Sequence, residues 1–327
     1  EFSRHYHNLS FFLQKCPHNF LLLNHIQEQC YSYRYKVLIK VKYKAIKLSK
    51  KIKQKGNSTD FSTPIVMGIL NLTSDSFYDG GNYLTKENIT KQCIKIEKLG
   101  AKIIDIGACS SRPGSIPISE AEELKKIIPA IEIIKNQSKK LLISIDTCNS
   151  NVARESIKNG ADMINDISAG EYDNKMLDTI VELNVPYIMM HMQGNSLTMQ
   201  INPSYENVIT EITDFFNKKI LLLNKKGFNK IILDPGFGFG KTIENNYEIL
   251  NNLTEFQKFK LPLLIGVSRK SMIYQLLKTT PQESLNGTSI INTIALLNGA
   301  NILRVHDVEE ALECIKLTQY YKNKILL

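Results

Sequence analysis

The sequence has 327 residues and a mass of 37.2 kDa, enough for one large single-core domain or two small ones. Its composition, 43% hydrophobic and 22% charged, excludes a disordered or fibrous chain, and no apolar run reaches the roughly 18–20 residues that span a bilayer. Six scattered cysteines without a C-x-x-C pair argue against a disulfide scaffold or cysteine zinc site and favour a reduced, cytoplasmic location.

The formal net charge of +9 belongs to the N-terminal part of the sequence. Residues 1–60 contain 12 Lys and Arg against 3 Asp and Glu, whereas residues 61–327 contain 29 of each. We therefore predict a basic N-terminal extension over residues 1–60, outside the catalytic core, and a catalytic domain over residues 61–327. Because the larger part is electrically balanced, we expect neither nucleic acid nor membrane as a partner.

Eight short apolar runs follow Pro64 and have the continuous hydrophobicity of strands buried on both faces of a parallel sheet. The predicted strands cover residues 65–71, 103–107, 142–146, 163–166, 187–191, 231–234, 263–267 and 302–305.

Helical periodicity fills the intervals between the strands, including residues 86–99, 119–136, 174–184, 205–226 and 281–298. Gly100, Gly160, Gly227 and Gly299 stand shortly before the next strands, where a left-handed helix cap is needed. Eight strand–helix units fit a (β/α)8 TIM barrel, an α/β fold, better than a doubly wound open sheet, which usually has five or six strands and a glycine-rich first turn. Residues 52–63 are expected to cover the barrel floor with Ile52 and Phe61.

Polar groups follow all eight predicted strands, which predicts a large pocket at the carboxyl rim of the barrel. Asp146 and Asp234 follow apolar strands and are expected to point inward. Asp75, Asp166 and Asp307 fit helix N-caps better. His191 is interpreted as a satisfied core histidine.

The glycine-rich stretch at residues 236–242 is not a phosphate-binding P-loop. That motif requires glycine five residues before Gly240, and Pro235 stands there instead. We interpret the stretch as a flexible, aromatic-bearing rim that approaches a ligand closely.

The motifs at the strand ends together resemble those of the dihydropteroate synthases, pterin-binding barrel enzymes of folate synthesis. The resemblance extends over about residues 62–325, in the order and spacing of that family. It rests on the runs VMGILN from Val66, SSRPG from Ser110, DT at Asp146, ND at Asn165, MHMQG from Met190, DPGFGFGK from Asp234, SRKS from Ser268 and RVHD from Arg304.

This resemblance implies a Mg²⁺-dependent transferase that joins 6-hydroxymethyl-7,8-dihydropterin diphosphate to p-aminobenzoate and releases diphosphate. It also implies a homodimer and a sulfonamide target. The implied catalytic residues are Asp146, Lys270 and Arg304. Those implied to bind pterin are Asp146, Asn165, Met190, Asp234 and Lys270.

The resemblance further assigns Asn71, Arg304 and His306 to the diphosphate, with Asn71 as the Mg²⁺ ligand. The implied p-aminobenzoate pocket consists of Phe77, Ser111, Arg112, Pro113, Phe239 and Ser271. Two positions depart from the family pattern: Ala108 replaces a usual glycine and Ser111 a frequent threonine. Both bear on the shape of the p-aminobenzoate pocket.

Two other functions remain as alternatives. A methyltetrahydrofolate–corrinoid methyltransferase would keep the Asp and Asn pterin contacts but has no use for the SSRPG and SRKS loops. A barrel that binds the ligand without turnover is disfavoured because each candidate catalytic position holds a chemically competent residue.

Overall fold

The computed structural model describes residues 51–54, 57–72, 85–109, 118–194, 199 and 201–325. They belong to one compact unit that spans residues 48–327. The predicted division into residues 1–60 and 61–327 stays a prediction. No helix among the described residues combines the length and the apolar character needed to cross a membrane.

Eight parallel strands form the barrel. Their bounds are β3 Ile65–Asn71, β4 Ile103–Gly107, β5 Leu142–Asp146, β6 Met163–Asp166, β7 Tyr187–Met190, β8 Ile231–Asp234, β9 Leu264–Ile265 and β10 Ile302–Val305. Hydrogen bonds join them in the order β8-β7-β6-β5-β4-β3-β10-β9, and a bridge between Leu233 and Leu263 brings β8 beside β9. The predicted (β/α)8 barrel is confirmed, with β9 shorter than predicted.

Helices connect the strands on the outside of the barrel. Within the described ranges they are α1 Lys86–Leu99, α2 Glu120–Gln137, α3 Ser150–Lys158, α4 Met176–Leu183, α5 Val208–Lys225, α6 Ile243–Asn251, α7 Ser271–Tyr274, α8 Leu285–Leu297 and α9 Val308–Ile325, with a 3₁₀ helix over Leu253–Phe259. Helix α1 ends at Gly100, whose φ of 100° lets its N–H reach the carbonyls of Ile96 and Glu97. This confirms the predicted glycine cap.

The two faces of each strand pack into separate apolar clusters. Outward residues such as Ile104, Ile143 and Leu303 pack against the helices in the larger cluster. Inward residues near the strand starts form a smaller one, here called the floor, consisting of Ile52, Phe61, Met67, Ile103, Met163, Ile188, Ile232, Leu264 and Ile302. This separation follows from the two-residue period of a β-strand.

A short hairpin precedes the barrel and supplies part of its floor. Strands β1 Lys51–Gln54 and β2 Asn57–Asp60 pair antiparallel. Ile52 and Phe61 are buried in the floor, and the Asn301 side-chain amide donates to the Phe61 carbonyl at 2.7 Å. The expectation that Ile52 and Phe61 cover the barrel floor is confirmed.

The floor yields a prediction about Phe61. Phe61→Ala should lower the free energy of unfolding by about 3–5 kcal/mol, because the ring is fully buried and its loss leaves a cavity. Denaturant unfolding measures this loss.

The N-terminal extension gives a separate prediction. Deletion of residues 1–48 should change kcat/KM by less than about tenfold, which corresponds to about 1.4 kcal/mol. The free energy of unfolding should also change by less than about 1.4 kcal/mol. A larger loss in the truncated protein would place that segment in the working enzyme.

Candidate active site

The inward positions above the floor are mostly polar. We call them the polar layer, which consists of Asn71, Asp105, Ser144, Asp146, Asn165, Asp234 and Arg304. Each lies two or four residues beyond an inward residue near the start of its strand, so the same alternation that builds the floor turns these side chains into the barrel. The predicted inward orientation of Asp146 and Asp234 agrees with this geometry.

An arginine between two carboxylates holds one side of this layer together. Arg304 on β10 donates from Nε to Asp105 Oδ2 at 2.7 Å and from a terminal nitrogen to Asp146 Oδ2 at 2.9 Å. Asn165 Nδ2 donates to the same Asp105 oxygen at 3.0 Å. The network joins β4, β5, β6 and β10. Sequence reasoning placed Arg304, Asp146 and Asn165 in the site and missed Asp105.

Asp146 combines burial with a cationic partner. Burial raises the pKa of Asp146 to about 7, and the Arg304 guanidinium opposes this shift. The neighbouring carboxylates of Asp105 and Glu123 favour the neutral form further. The pKa of Asp146 therefore lies well above its ordinary value despite the pairing with Arg304.

Asp234 and Lys270 lie on the opposite side of the layer. Asp234 is 6% exposed and accepts from the Gly236 N–H at 2.8 Å. Burial raises the pKa of this carboxyl group, while the charge of Lys270 lowers it. Burial likewise lowers the pKa of Lys270 to about 8, against the attraction of Asp234. The pair presents an acceptor and a donor to the same interior.

Lys270 is also fixed by the loop after β8. Its Nζ donates to the Phe237 carbonyl and lies 4.5 Å from the centre of the Phe239 ring. Phe239 is half-buried at the rim, as predicted for a residue that approaches the ligand, whereas Phe237 is fully buried in the outer core. Met190 is buried at the end of β7, in register with Asp234 and outside both apolar clusters.

Asn71 and Asp146 face a common space above Gly107. A Cβ atom at Gly107 would lie 3.7 Å from both Asn71 Oδ1 and Asp146 Oδ2. Across the rim, Ser268 Oγ lies 3.0 Å from His306 Nδ1 and accepts from the His306 N–H.

The loop after β8 is anchored, which corrects the expectation of a flexible rim. A Cβ at Gly236, where φ is 74°, would stand 1.9 Å from the His191 carbonyl, so only glycine fits this close approach. The Gly238 N–H donates to Asn246 Oδ1 at 2.7 Å, and the Tyr205 hydroxyl donates to the Gly240 carbonyl at 2.7 Å. The sequence contained the glycines but gave no sign of these partners.

Lys241 is a buried anchor of the same loop that sequence reasoning also missed. Its Nζ lies 3.1 Å from His191 Nδ1, 3.3 Å from the His191 carbonyl and 3.0 Å from the Phe239 carbonyl, which matches the three donors of an ammonium group. Burial, with a smaller effect of Lys241, lowers the pKa of His191 to about 2, and the ring stays neutral. The interpretation of His191 as a satisfied core histidine is confirmed.

The predictions that Asp166 and Asp307 are helix N-caps have different outcomes. The Asp166 carboxylate accepts from the N–H groups of Ser168 and Gly170 and from the Tyr187 hydroxyl, and α4 begins ten residues after it. The N-cap prediction for Asp166 is therefore wrong. Asp307 directly precedes α9 and its carbonyl accepts from the Ala311 N–H, which agrees with the predicted N-cap position. Its carboxylate also forms a two-bond ion pair with Arg269 at 2.8 and 2.9 Å. This pair ties the loop after β9 to that after β10.

Several predicted residues lie outside the described part of the chain. They are Asp75, Phe77, Ser111, Arg112 and Pro113. Ser271 is described and is the first residue of α7, which confirms its predicted place at a helix start.

Comparisons with known proteins agree with this geometry. A family model described as "Pterin binding enzyme" matches residues 67–306. The dihydropteroate synthase of Escherichia coli K12 is 44% identical over 271 residues, which cover 82% of this chain and 95% of that protein. A Yersinia pestis dihydropteroate synthase crystallised with a sulfonamide drug superposes with a TM-score of 0.80 at 39% identity, covering 84% and 99% of the two chains. A Xanthomonas albilineans dihydropteroate synthase with 4-aminobenzoic acid gives 0.77 at 34% identity, covering 84% and 98%.

The barrel, its polar layer and these matches define a pterin-binding enzyme. Within that class the chain belongs to the dihydropteroate synthases, the transferases of folate biosynthesis that condense 6-hydroxymethyl-7,8-dihydropterin diphosphate with p-aminobenzoate.

The Lys241 anchor is testable by stability. Lys241→Met should lower the free energy of unfolding by at least about 2 kcal/mol, because it leaves buried acceptors without a donor. Lys230→Met is the matched control, since Lys230 Nζ donates to a single backbone carbonyl of the described residues, that of Asn184. Its loss should stay near or below about 1 kcal/mol. Equal losses in the two variants, measured by denaturant unfolding, would remove the anchoring role.

Proposed function

We propose that this enzyme makes 7,8-dihydropteroate by holding the pterin in the polar layer and carrying out the substitution at the barrel rim. The observation that carries the proposal is the convergence of Asp234, Lys270 and Asn165 in one interior with the Arg304–Asp146 pair. These groups combine carboxylate, amide and ammonium chemistry, which a polar bicyclic ring edge requires.

The Asp234 carboxylate accepts two hydrogen bonds from the 2-amino group and the adjacent ring N–H of the pterin, a bidentate arrangement that favours the ionised form. Lys270 donates to a ring carbonyl or heteroatom, and Asn165 completes the ring edge. Met190 packs its thioether against the ring face. Buried groups of this kind discriminate strongly, because a ligand without matching groups leaves them unpaired.

The diphosphate binds at the rim to Arg304 and His306, with Asn71 nearby. Asn71 Oδ1 faces the space above Gly107 and suits a hard cation, so Asn71 would hold Mg²⁺ there. No three His, Cys, Asp or Glu side chains of the described segments cluster as a metal site, so substrate oxygens and water would complete the coordination. When bound, Mg²⁺ supplies positive charge that stabilises the departing oxygens.

Substitution takes place at the methylene carbon of the pterin. Its bond to oxygen breaks, and the diphosphate leaves with the electron pair. Positive charge spreads into the dihydropterin ring, where the Asp146 carboxylate stabilises it electrostatically. The amine of p-aminobenzoate then forms the new C–N bond and loses one proton.

The second substrate binds at the rim beside Phe239 and Ser271. Phe77, Ser111, Arg112 and Pro113 are proposed from the family motifs to complete its pocket, and Ser271 to bind its carboxylate. Since the Yersinia pestis relative was crystallised with a sulfonamide and the Xanthomonas albilineans relative with 4-aminobenzoic acid, we propose that sulfonamides compete for this pocket.

We also propose a homodimer that works in the cytoplasm. Apolar side chains stand exposed on the neighbouring helices α8 and α9, which supports association through these helices. They are Ile290, Ile294, Leu297, Leu317, Tyr320 and Tyr321. The cysteines at 93, 109, 148 and 314 carry free thiols, in keeping with a reducing compartment.

The direct test is incubation with the pterin diphosphate, p-aminobenzoate and Mg²⁺, followed by measurement of released pyrophosphate. We expect release that depends on p-aminobenzoate. A protein that binds the pterin but releases no pyrophosphate would contradict the proposal, and methyl transfer from methyltetrahydrofolate to a corrinoid would favour the alternative activity.

The role of Asp234 leads to a second test. Asp234→Asn should weaken pterin binding by about 10- to 150-fold, because it replaces one acceptor of a charged hydrogen-bond pair with a donor. The fold should persist, since the new amide oxygen can still accept from Gly236. Calorimetry measures the affinity, with exposed Asp214→Asn as control. Wild-type affinity in the folded Asp234→Asn protein would refute the assignment.

The pKa of Asp146 predicts a pH dependence. With the pKa raised to about 7, the carboxylate predominates above that pH, so kcat/KM should approach a tenfold fall per pH unit well below it. Glu123→Gln removes a neighbouring negative charge and should move this acid limb to lower pH. Glu122→Gln, an exposed change on the same helix, should leave it in place. A profile unchanged by Glu123→Gln would contradict the coupling.

A further inference from the structure

Asp105 is a buried carboxylate to which the proposed reaction gives no direct task. Its side chain is fully buried below the rim. Asp105 Oδ2 accepts from both Arg304 Nε and Asn165 Nδ2, while Oδ1 has no hydrogen-bond partner among the residues that the structure describes. Because Oδ1 is also closed off from solvent, it is not placed to bind a ligand itself.

The charge of Asp105 determines the orientation of Asn165. Asp105 pairs with the Arg304 guanidinium at 2.7 Å, and a carboxylate accepts hydrogen bonds and donates none. Asn165 must therefore turn its NH2 group toward Asp105, and its carbonyl oxygen Oδ1 points away. An unrestrained amide could present either end, since oxygen and nitrogen are nearly the same size.

Keeping such a carboxylate has a cost. A buried charge with an unpaired oxygen destabilises the folded state, and apolar replacements of buried ion pairs are often neutral or stabilising. The floor directly below Asp105 is apolar. The position of Asp105 between two proposed substrate-binding groups offers a functional reason for the charge.

We propose that Asp105 is a positioning residue with two effects. It makes Asn165 a hydrogen-bond acceptor toward the pterin, and it fixes the Arg304 guanidinium next to Asn165. The pocket therefore selects, at Asn165, a ring edge that offers an N–H donor. This inference rests on the proposed pterin site. It adds that Asn165 accepts, and does not donate, the hydrogen bond to the pterin.

Two single variants test this polarity, with 6-hydroxymethyl-7,8-dihydropterin as the probe in calorimetry. Asp105→Ala frees the Asn165 amide to turn, and affinity should fall at least about tenfold. Asn165→Asp places a second carboxylate against Asp105, so binding should be weak at high pH. As the pH falls, one of the two carboxyl groups takes up a proton, restores the hydrogen bond to its partner and restores binding.

The double variant Asp105→Ala/Asn165→Asp separates the repulsion between the two carboxylates from the need for an acceptor at position 165. Without the opposing carboxylate, position 165 presents an acceptor at every pH, so binding at high pH should exceed that of Asn165→Asp alone and show no recovery on acidification. Asp146, Asp234 and Lys270 also lie at the proposed pterin site, and their protonation can change the affinity of every variant. The measured quantity is therefore the ratio of variant to wild-type affinity at each pH.

Stability needs its own control. Asp162→Ala removes a carboxylate that accepts from the Ile143 N–H at the start of β5, next to the floor residue Met163. It should lower the melting temperature but leave the probe affinity within about threefold, or about 0.7 kcal/mol. If Asp105→Ala does not fold, the pH series of Asn165→Asp decides alone, since that variant keeps Asp105.

Three results would overturn the inference: wild-type affinity in Asp105→Ala, an Asn165→Asp affinity ratio that does not rise on acidification, or a double variant no stronger than Asn165→Asp at high pH. Failure of the wild type to bind the probe would instead refute the proposed pterin site.

Discussion

The ion pair of Arg304 with Asp105 and Asp146 is the constraint on which the interior depends. Two carboxylates this deep in a barrel need a cation, because a buried charge without a partner is strongly destabilising. The guanidinium suits both, since its planar fork donates in two directions at once. Loss of either partner would leave a buried charge, at a cost of about 3–5 kcal/mol. The three strands that carry these residues are thereby held in one register.

The polar layer is possible because an apolar floor lies beneath it. Phe61 and Ile52 join the first inward residues of the strands, so water is excluded from below and the barrel closes without polar groups there. Above this level the interior changes from hydrocarbon to carboxylate, amide and guanidinium within two to four residues along the strands that carry the polar layer. Desolvation then shifts the pKa values of Asp146 and Lys270 toward neutrality, which suits both groups to chemistry at physiological pH.

Much of this arrangement could be predicted from the sequence. Continuous apolar runs located the eight strands, and glycines such as Gly100 marked helix ends, because both signals are local. The role of Asp105 was not predicted because this residue stands inside an apolar strand and belongs to none of the loop motifs. Counting inward positions by twos from Ile103 would have found it. Lys241 and Arg269 were not recognised as anchors because their partners lie about 40–50 positions away along the chain, and spacing carries no information on such contacts.

The most direct test of this account is a crystal structure of the enzyme with a bound dihydropterin. The account predicts the ring in the polar layer, with its amino edge against the Asp234 carboxylate, the Asn165 carbonyl oxygen accepting from a ring or amino N–H, and Arg304 still paired with Asp105 and Asp146. A dihydropterin bound elsewhere, or Asn165 donating its NH2 group to the ring, would contradict it.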